Sequence, residues 1–214
     1  MKQQIVNLLR RLPVSTSHPS EKQLVLQASL VAALTRERSK LESLATAEFS
    51  VFSQWGEDGI IDWILSRLKG IPETFIEFGV EDYRESNTRL VLFLRNWRGL
   101  IMDGSEAHIR SIRSQDIYWR YDLTAMCAFI DKDNINELIA STGLHGEVGL
   151  LSIDIDGNDY WVWQAMDVVR PVVLVCEYNA VLGDMHRLSV PYQADFQRTH
   201  AHHSNLYFGA SLPA

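Results

Sequence analysis

From Val51 onward, short apolar runs alternate with amphipathic segments, and this alternation limits the possible folds more than any other feature of the chain. The apolar runs are TFIEFGV, GLIMDGS, AMCAFI, VGLLSIDID and PVVLVCEYN. They are apolar throughout instead of alternating with polar residues, which is typical of parallel strands covered on both faces. Helical segments separate them. The sequence therefore predicts an α/β fold with a doubly wound, mostly parallel sheet and right-handed crossovers.

The beginning of the chain has a different character and is predicted to form an N-terminal helical arm, residues 1–48, in front of a domain spanning 49–214. Ile5, Leu8, Leu9 and Leu12 have helical spacing. A second segment, Gln23–Thr46, is predicted to be one helix, apolar in its first half and charged in its second. We expect the arm to pack on the domain or to form a dimer contact, with a substrate lid as the alternative.

Composition argues against nucleic acid and membranes as partners. The net charge of -7 disfavours nucleic-acid binding, which needs clustered Lys and Arg. The longest apolar stretch, Leu24–Leu34, is too short to span a bilayer, which takes about 20 residues, so no membrane association is expected. Cys127 and Cys176 lie in apolar runs and are predicted to be buried free thiols, which fits a reducing compartment and a cytoplasmic location.

Acidic residues mark the ends of the predicted strands, where doubly wound sheets bind their ligands. They are Glu77, Asp103, Asp154, Asp156 and Glu177. Phosphate groups prefer backbone N–H groups and cations, so these acids argue against a pyrophosphate ligand. A ligand with positive charge and hydroxyl groups is favoured, and S-adenosylmethionine has both. Gly79 allows close approach of the backbone to such a ligand.

The second strand end also fits this ligand. Asp103 follows Gly79 by 24 residues, near the spacing of about 20 residues expected for a ribose-binding acid. A carboxylate can accept hydrogen bonds from both ribose hydroxyls.

Several stretches together resemble the FkbM-like S-adenosylmethionine-dependent methyltransferases, over a region from about Phe52 to the end of the chain. They are FSQWGEDGII, FIEFGVEDYRESNTRLVLF, NWRGLIMDGS, LLSIDIDGNDYWVW and VCEYNA. The resemblance implies a class I, Rossmann-like methyltransferase fold and methylation of a hydroxyl on a small-molecule or carbohydrate acceptor. One position departs from the family pattern, because Glu81 replaces the second glycine of the usual E-x-G-x-G loop.

The resemblance also implies roles for individual residues. It places Glu77 and Gly79 near the methionine portion of the cofactor and Asp103 on the ribose. It places Gly104 and Ser105 beside the adenine. It places Asp154 and Asp156 at the reactive centre.

The acceptor hydroxyl must lose a proton, and the sequence leaves two routes open. Asp156 and Glu177 are the predicted general bases. Alternatively, Asp154, Asp156, Glu177 and Asn179 hold a magnesium ion, as in some class I O-methyltransferases, which would lower the pKa of the hydroxyl. Two other functions also stay open. One is an NAD-dependent oxidoreductase or epimerase, against which the broken G-x-G-x-x-G pattern argues. The other is a non-catalytic protein that binds an adenosyl ligand.

The last part of the chain limits the size of the sheet. Methyltransferases of this class usually add a C-terminal strand pair, but only 35 residues follow Asn179, and they contain no two apolar runs. We therefore expect five strands in the order 3-2-1-4-5, with strand five at an edge and an open acceptor side. Three explanations stay open for that edge. The arm covers it, a second subunit covers it and makes a homo-oligomer, or the chain is a truncated form of a longer protein.

Overall fold

A computed structural model describes residues 19–214 and contains one parallel sheet. Its strands are β1 (Thr74–Phe78), β2 (Arg98–Asp103), β3 (Leu123–Cys127), β4 (Gly146–Ile153) and β5 (Val169–Cys176). The strand order is β3-β2-β1-β4-β5, and all neighbours pair in parallel. This is the order of the first five strands of the Rossmann fold, so the predicted fold class and strand order are confirmed.

Helices cover both faces of the sheet. They are α1 (Glu21–Arg36), α2 (Glu57–Arg67), α3 (Arg89–Arg95), α4 (Glu106–Ser114), α5 (Asp116–Arg120), α6 (Ile135–Ser141), α7 (Asp159–Ala165) and α8 (Arg198–Ala201). Alternate strand residues face opposite sides: Phe75 packs with α2, α3 and α4, whereas Ile76 packs with α6 and α7. Both faces of the central strands are buried, which is why their sequences are apolar throughout. The segment IYWR, which has strand character in sequence, lies within α5.

The described part of the arm packs against α2 and α3. Ala28 of α1 joins Phe52 and Leu90 in a small apolar cluster. The predicted long helix is wrong in its second half, because α1 ends at Arg36 and only a short 3-10 turn, Leu44–Ala47, follows. The charged sequence after Arg36 has no apolar stripe that would bury a further helical turn. The predicted helix around Ile5–Leu12 lies outside the described residues.

The outer edge of β5 has no strand partner among residues 19–214. Residues 180–214 add no strand pair there and make one isolated bridge, Ser189 to Ala210, as expected for a sheet without the final hairpin. Leu174 of β5 is 38% exposed. The described part of the arm, residues 19–48, packs on α2 and α3.

Both cysteines are free, but the prediction that they are buried is wrong. Cys127 and Cys176 are the last residues of β3 and β5, at the end of the sheet that the helices leave uncovered. Within the described range, none of the helices is long and apolar enough to cross a membrane.

Candidate functional site

A cleft of about 500 Å³ opens at the carboxyl ends of the strands. Seven of the predicted site residues line it: Glu77, Gly79, Asp103, Gly104, Asp154, Asp156 and Glu177. Two further acids, Glu81 and Glu85, also line it, whereas the basic side chains that line it within residues 19–214 are those of His108 and Arg198. The cleft is therefore strongly acidic, which disfavours a phosphate-bearing ligand and favours a cationic one.

Glu77 holds the loop between β1 and α3. Its carboxylate accepts hydrogen bonds from the Ser86 hydroxyl at 2.5 Å and from the backbone N–H of Asn87 at 2.8 Å. Thr88 donates to it from both its backbone and its hydroxyl. Burial raises the pKa of Glu77, while these donors act to lower it. Much of the bonding capacity of the carboxylate is used within the protein, so its first effect is to shape the loop that borders the cleft.

Gly79 is required by a close approach between two strand ends. Its φ is +74°, and a Cβ at this position would overlap the backbone carbonyl of Asp154. A side chain here would push the ends of β1 and β4 apart. From the sequence, we expected a glycine here because a ligand approaches the backbone. In the structure, the close contact that excludes a side chain is with the Asp154 carbonyl.

Asp103 ends β2 and is almost fully buried. Its Oδ2 accepts from the backbone N–H of Glu81 at 2.8 Å. Its Oδ1 accepts from the backbone N–H of Ser105 at 2.7 Å and lies 3.0 Å from Nδ1 of His108. Because a carboxylate only accepts, we place the His108 proton on Nδ1.

Gly104 and Ser105 differ in their relation to the cleft. Gly104 lines it next to Phe129, another lining residue. Ser105 does not line it; its hydroxyl accepts from the His108 backbone N–H at 3.4 Å and caps α4. Ser105 therefore acts on the site through the position of α4.

Three carboxylates meet where β4 and β5 end. Asp154, Asp156 and Glu177 each offer an oxygen, and these oxygens lie within 4.8 Å of one another. Burial, followed by repulsion from Asp159 and other acids, raises the pKa of Asp154 to about 6. Burial, followed by repulsion from Asp154, raises the pKa of Glu177 to about 8. This group of three residues, called the acid triad below, therefore retains a proton near neutral pH.

Asp159 fixes the loop that carries Asp154 and Asp156, two of the three members of the acid triad. The Asp159 carboxylate accepts from the backbone N–H groups of Ile155 and Gly157, both at 2.8 Å. Asp156 has a φ of +56°, an uncommon conformation for a non-glycine residue. This turn directs the backbone so that Asp154 and Asp156 both border the cleft.

The C-terminal segment contributes Phe196 and Arg198 to the wall of the cleft, where a less complete wall was expected from the sequence. Phe196 packs so tightly on Gly157 that a Cβ there would overlap its ring. Arg198 forms an ion pair with Asp156, and its guanidinium carbon lies 3.8 Å from the centre of the Phe208 ring. Asn158 donates to the Gln193 carbonyl at 2.7 Å, which attaches the same segment to the loop.

Sequence reasoning missed several cleft residues, including His108, Phe129, Asn158, Phe196 and Arg198. Phe196 and Arg198 lie about 40 residues after Asp156, and no local pattern marks them. His108 had a usable signal, since it stands five residues after Asp103 in the first turn of a predicted helix.

Asn179 is not available as a ligand. Its Nδ2 donates to the carbonyls of Leu206 and Phe208, and its Oδ1 accepts from the Val181 N–H. The side chain is 2% exposed and connects the end of β5 to the C-terminal segment. Within residues 19–214, the acid triad is the group of acids at this end of the sheet that could hold a cation.

The raised pKa of Glu177 makes the stability of the protein depend on pH. Its ordinary pKa is 4.5 and its folded value is about 8, so the folded state holds the extra proton between these values. The stabilisation is complete below pH 4.5 and is lost as pH rises through about 8. We expect the melting temperature to fall between pH 5 and about 8 and to fall less in Glu177→Gln. Thermal melts followed by circular dichroism test this, and parallel curves for the two proteins would contradict it.

Comparisons with known proteins give only a remote likeness. No protein-family model matches the chain, and no curated protein matches it. Among solved structures, the chain is similar to the O-methyltransferase from Bacillus cereus in complex with SAH, at 13% identity and a TM-score of 0.43. The match covers 84% of this chain and 74% of that chain. A likeness this remote assigns no function, so the proposal below rests on the cleft.

Proposed function

We propose that this chain is an S-adenosylmethionine-dependent methyltransferase that acts on a hydroxyl group of a small-molecule or carbohydrate acceptor. The observation that carries the proposal is the acidic cleft at the carboxyl ends of β1, β2, β4 and β5, with Asp103 at one end and the acid triad at the other. One end suits a ribose and the other suits a positively charged reacting centre.

The same observation weighs against an NAD-dependent enzyme. Dinucleotides place a pyrophosphate on a glycine-rich turn at a helix N-terminus. Here the corresponding loop carries Glu81 and Glu85, and both line the cleft. Their negative charges would repel the pyrophosphate.

The residues present fit the cofactor, which supplies an electrophilic methyl group on a sulfonium. Asp103 accepts a hydrogen bond from the ribose, and the acid triad compensates positive charge. Phe196 and Arg198 form the wall against which the acceptor lies. Glu177 would accept the proton of the acceptor hydroxyl as the methyl group passes from the sulfonium to that oxygen and the sulfur leaves as a neutral thioether, and Asp154 would share this proton. A base with a pKa near the working pH suits this task.

The acid triad also fits a divalent cation, because carboxylate oxygens are the ligands that Mg²⁺ prefers. Asp154, Asp156 and Glu177 would hold the ion. It would orient the acceptor hydroxyl and lower its pKa, so that no side-chain base would be needed.

Cofactor binding is the first test of the proposal. We expect S-adenosylhomocysteine to bind with a micromolar Kd and Asp103→Ala to weaken binding by about 1.5–3 kcal/mol, the scale of a charge-assisted hydrogen bond. Isothermal titration calorimetry measures both, and thermal melts confirm that the variant is folded. Tighter binding of NADH than of S-adenosylhomocysteine would overturn the methyltransferase proposal. An unchanged affinity in Asp103→Ala would remove Asp103 from the ribose site.

A further inference from the structure

The hydrogen bonds already made by Asp103 leave little capacity for a ribose. A carboxylate offers about four lone-pair sites, two on each oxygen. Ser105 and His108 use both sites of Oδ1, and the Glu81 backbone N–H uses one site of Oδ2. One acceptor site therefore remains, on Oδ2. Asp103 can bind one ribose hydroxyl but not both, so the sequence-based expectation that it holds the whole diol fails.

The other ribose hydroxyl then needs a different hydrogen-bond acceptor near Asp103. Glu81 is a candidate because its residue contacts Asp103: the backbone N–H of Glu81 donates to the Asp103 carboxylate at 2.8 Å. Glu81 lines the same cleft and is exposed. Within residues 19–214, its side chain makes no hydrogen bond or ion pair. The carboxylate thus belongs to a residue whose backbone contacts Asp103, and it can accept a hydrogen bond from a ligand in the cleft.

The backbone conformation at Glu81 is one that glycine adopts more readily than glutamate. Its φ is +47°, in the left-handed region that glycine occupies without strain and that other residues rarely adopt. Glycine would satisfy the turn with less strain, and a glycine does stand here in the usual E-x-G-x-G loop. Neither the turn nor a contact within the described part of the chain requires a glutamate.

We propose that the Glu81 carboxylate is the second ribose acceptor, so that Asp103 and Glu81 each bind one hydroxyl of the adenosyl cofactor. This inference rests on the proposed function. It gives the glutamate that interrupts the glycine loop a role in cofactor specificity. His108 contributes by holding Asp103 through Nδ1, which keeps Oδ1 engaged and leaves Oδ2 for the ligand.

The test uses Glu81→Gly, which removes the carboxylate and suits the left-handed backbone. Glu85→Ala is the matched control, since it removes one negative charge from the same cleft. We expect Glu81→Gly to bind S-adenosylhomocysteine about 10- to 100-fold more weakly than the wild type, the scale for losing a charge-assisted hydrogen bond. Glu85→Ala should weaken binding less than Glu81→Gly does, because it removes a cleft charge without removing a proposed hydrogen bond. Calorimetry gives the affinities, and Glu81→Gly should melt at or above the wild-type temperature.

Analogues of S-adenosylhomocysteine that lack the 2′- or the 3′-hydroxyl identify the contact. For one of the two analogues, the wild type and Glu81→Gly should bind within about twofold of each other, since the partner of Glu81 is already absent. For the other analogue, Glu81→Gly should keep its full loss. Equal losses for both analogues, or an equal loss in Glu85→Ala, would overturn the role of Glu81 and leave the methyltransferase proposal standing. No binding of S-adenosylhomocysteine by the wild type would overturn both.

Discussion

Replacing Glu177 with glutamine is expected to lower kcat by about 10²- to 10⁴-fold, the usual contribution of a general base. The amide keeps the shape of the side chain but cannot take the proton of the acceptor hydroxyl. Because the pKa of Glu177 is raised to about 8, the wild-type rate should increase with pH up to about 8, and the variant should lose this dependence. Methyl transfer is measured as S-adenosylhomocysteine release with a screened set of hydroxyl acceptors.

Glu147→Gln is the matched control, because Glu147 is an exposed residue near the start of β4, at the opposite end of the sheet. It should leave kcat unchanged. Calorimetry should show that Glu177→Gln still binds S-adenosylhomocysteine, since the base acts on the acceptor. A variant with the wild-type rate and pH profile would exclude Glu177 as the base.

Removal of metal distinguishes the two ways in which the acceptor hydroxyl could lose its proton, to a side-chain base or with the help of a bound cation. Full activity of the wild type in EDTA supports the side-chain base. Activity that disappears in EDTA and returns with Mg²⁺ would show that the acid triad holds a cation. Glu177→Gln would then raise the Mg²⁺ concentration needed for half activity.

The second large effect is expected from Asp62→Ala, which should lower the free energy of unfolding by about 3–5 kcal/mol, as for other broken buried ion pairs. Asp62 is 3% exposed and accepts from Arg36 at 2.8 Å and from Arg95 at 2.9 Å. Its loss leaves Arg95 largely buried without its charge partner. It also removes an attachment of the arm, since Arg36 is the last residue of α1. Urea unfolding measures the change.

Arg84→Ala is the control for this stability prediction. It breaks the ion pair with Asp82, in which the Arg84 side chain is 74% exposed, and it should change stability by less than about 0.5 kcal/mol. Limited proteolysis gives a second readout, because Asp62→Ala should expose the segment 37–48 to cleavage. A loss below about 1 kcal/mol would show that the arm is held mainly by the apolar cluster around Ala28.

Periodicity in the sequence was enough to predict the sheet. Strands buried on both faces must be apolar at every position, and that pattern is readable without any structure. The acids at strand ends were readable for a similar reason, since parallel strands bring their carboxyl ends to one edge. This is why Asp103, Asp154 and Glu177 were predicted to lie together and do line one cleft.

The errors concern features that depend on distant neighbours. Helical character continues past Arg36 in the sequence, but the helix ends where it has no partner to pack against. Cys176 stands in an apolar run and is nonetheless exposed, as is Leu174 on the same face of the edge strand β5. Asn179 was predicted to be a possible metal ligand, but carbonyls of the C-terminal segment take its amide group.

The sequence by itself determined the parallel sheet and the acidic character of its carboxyl edge, because these follow from local burial and connection rules, whereas the strand order was predicted from the resemblance to class I methyltransferases. The tertiary structure decided how each acid is used. It shows that the Glu77 carboxylate accepts hydrogen bonds from its own loop and that the Asp103 carboxylate accepts one from the Glu81 backbone. It also shows that Arg198, far along the chain, pairs with Asp156. Hydrogen-bond capacity and pKa depend on which groups meet in space, and those meetings are set by packing over long sequence distances.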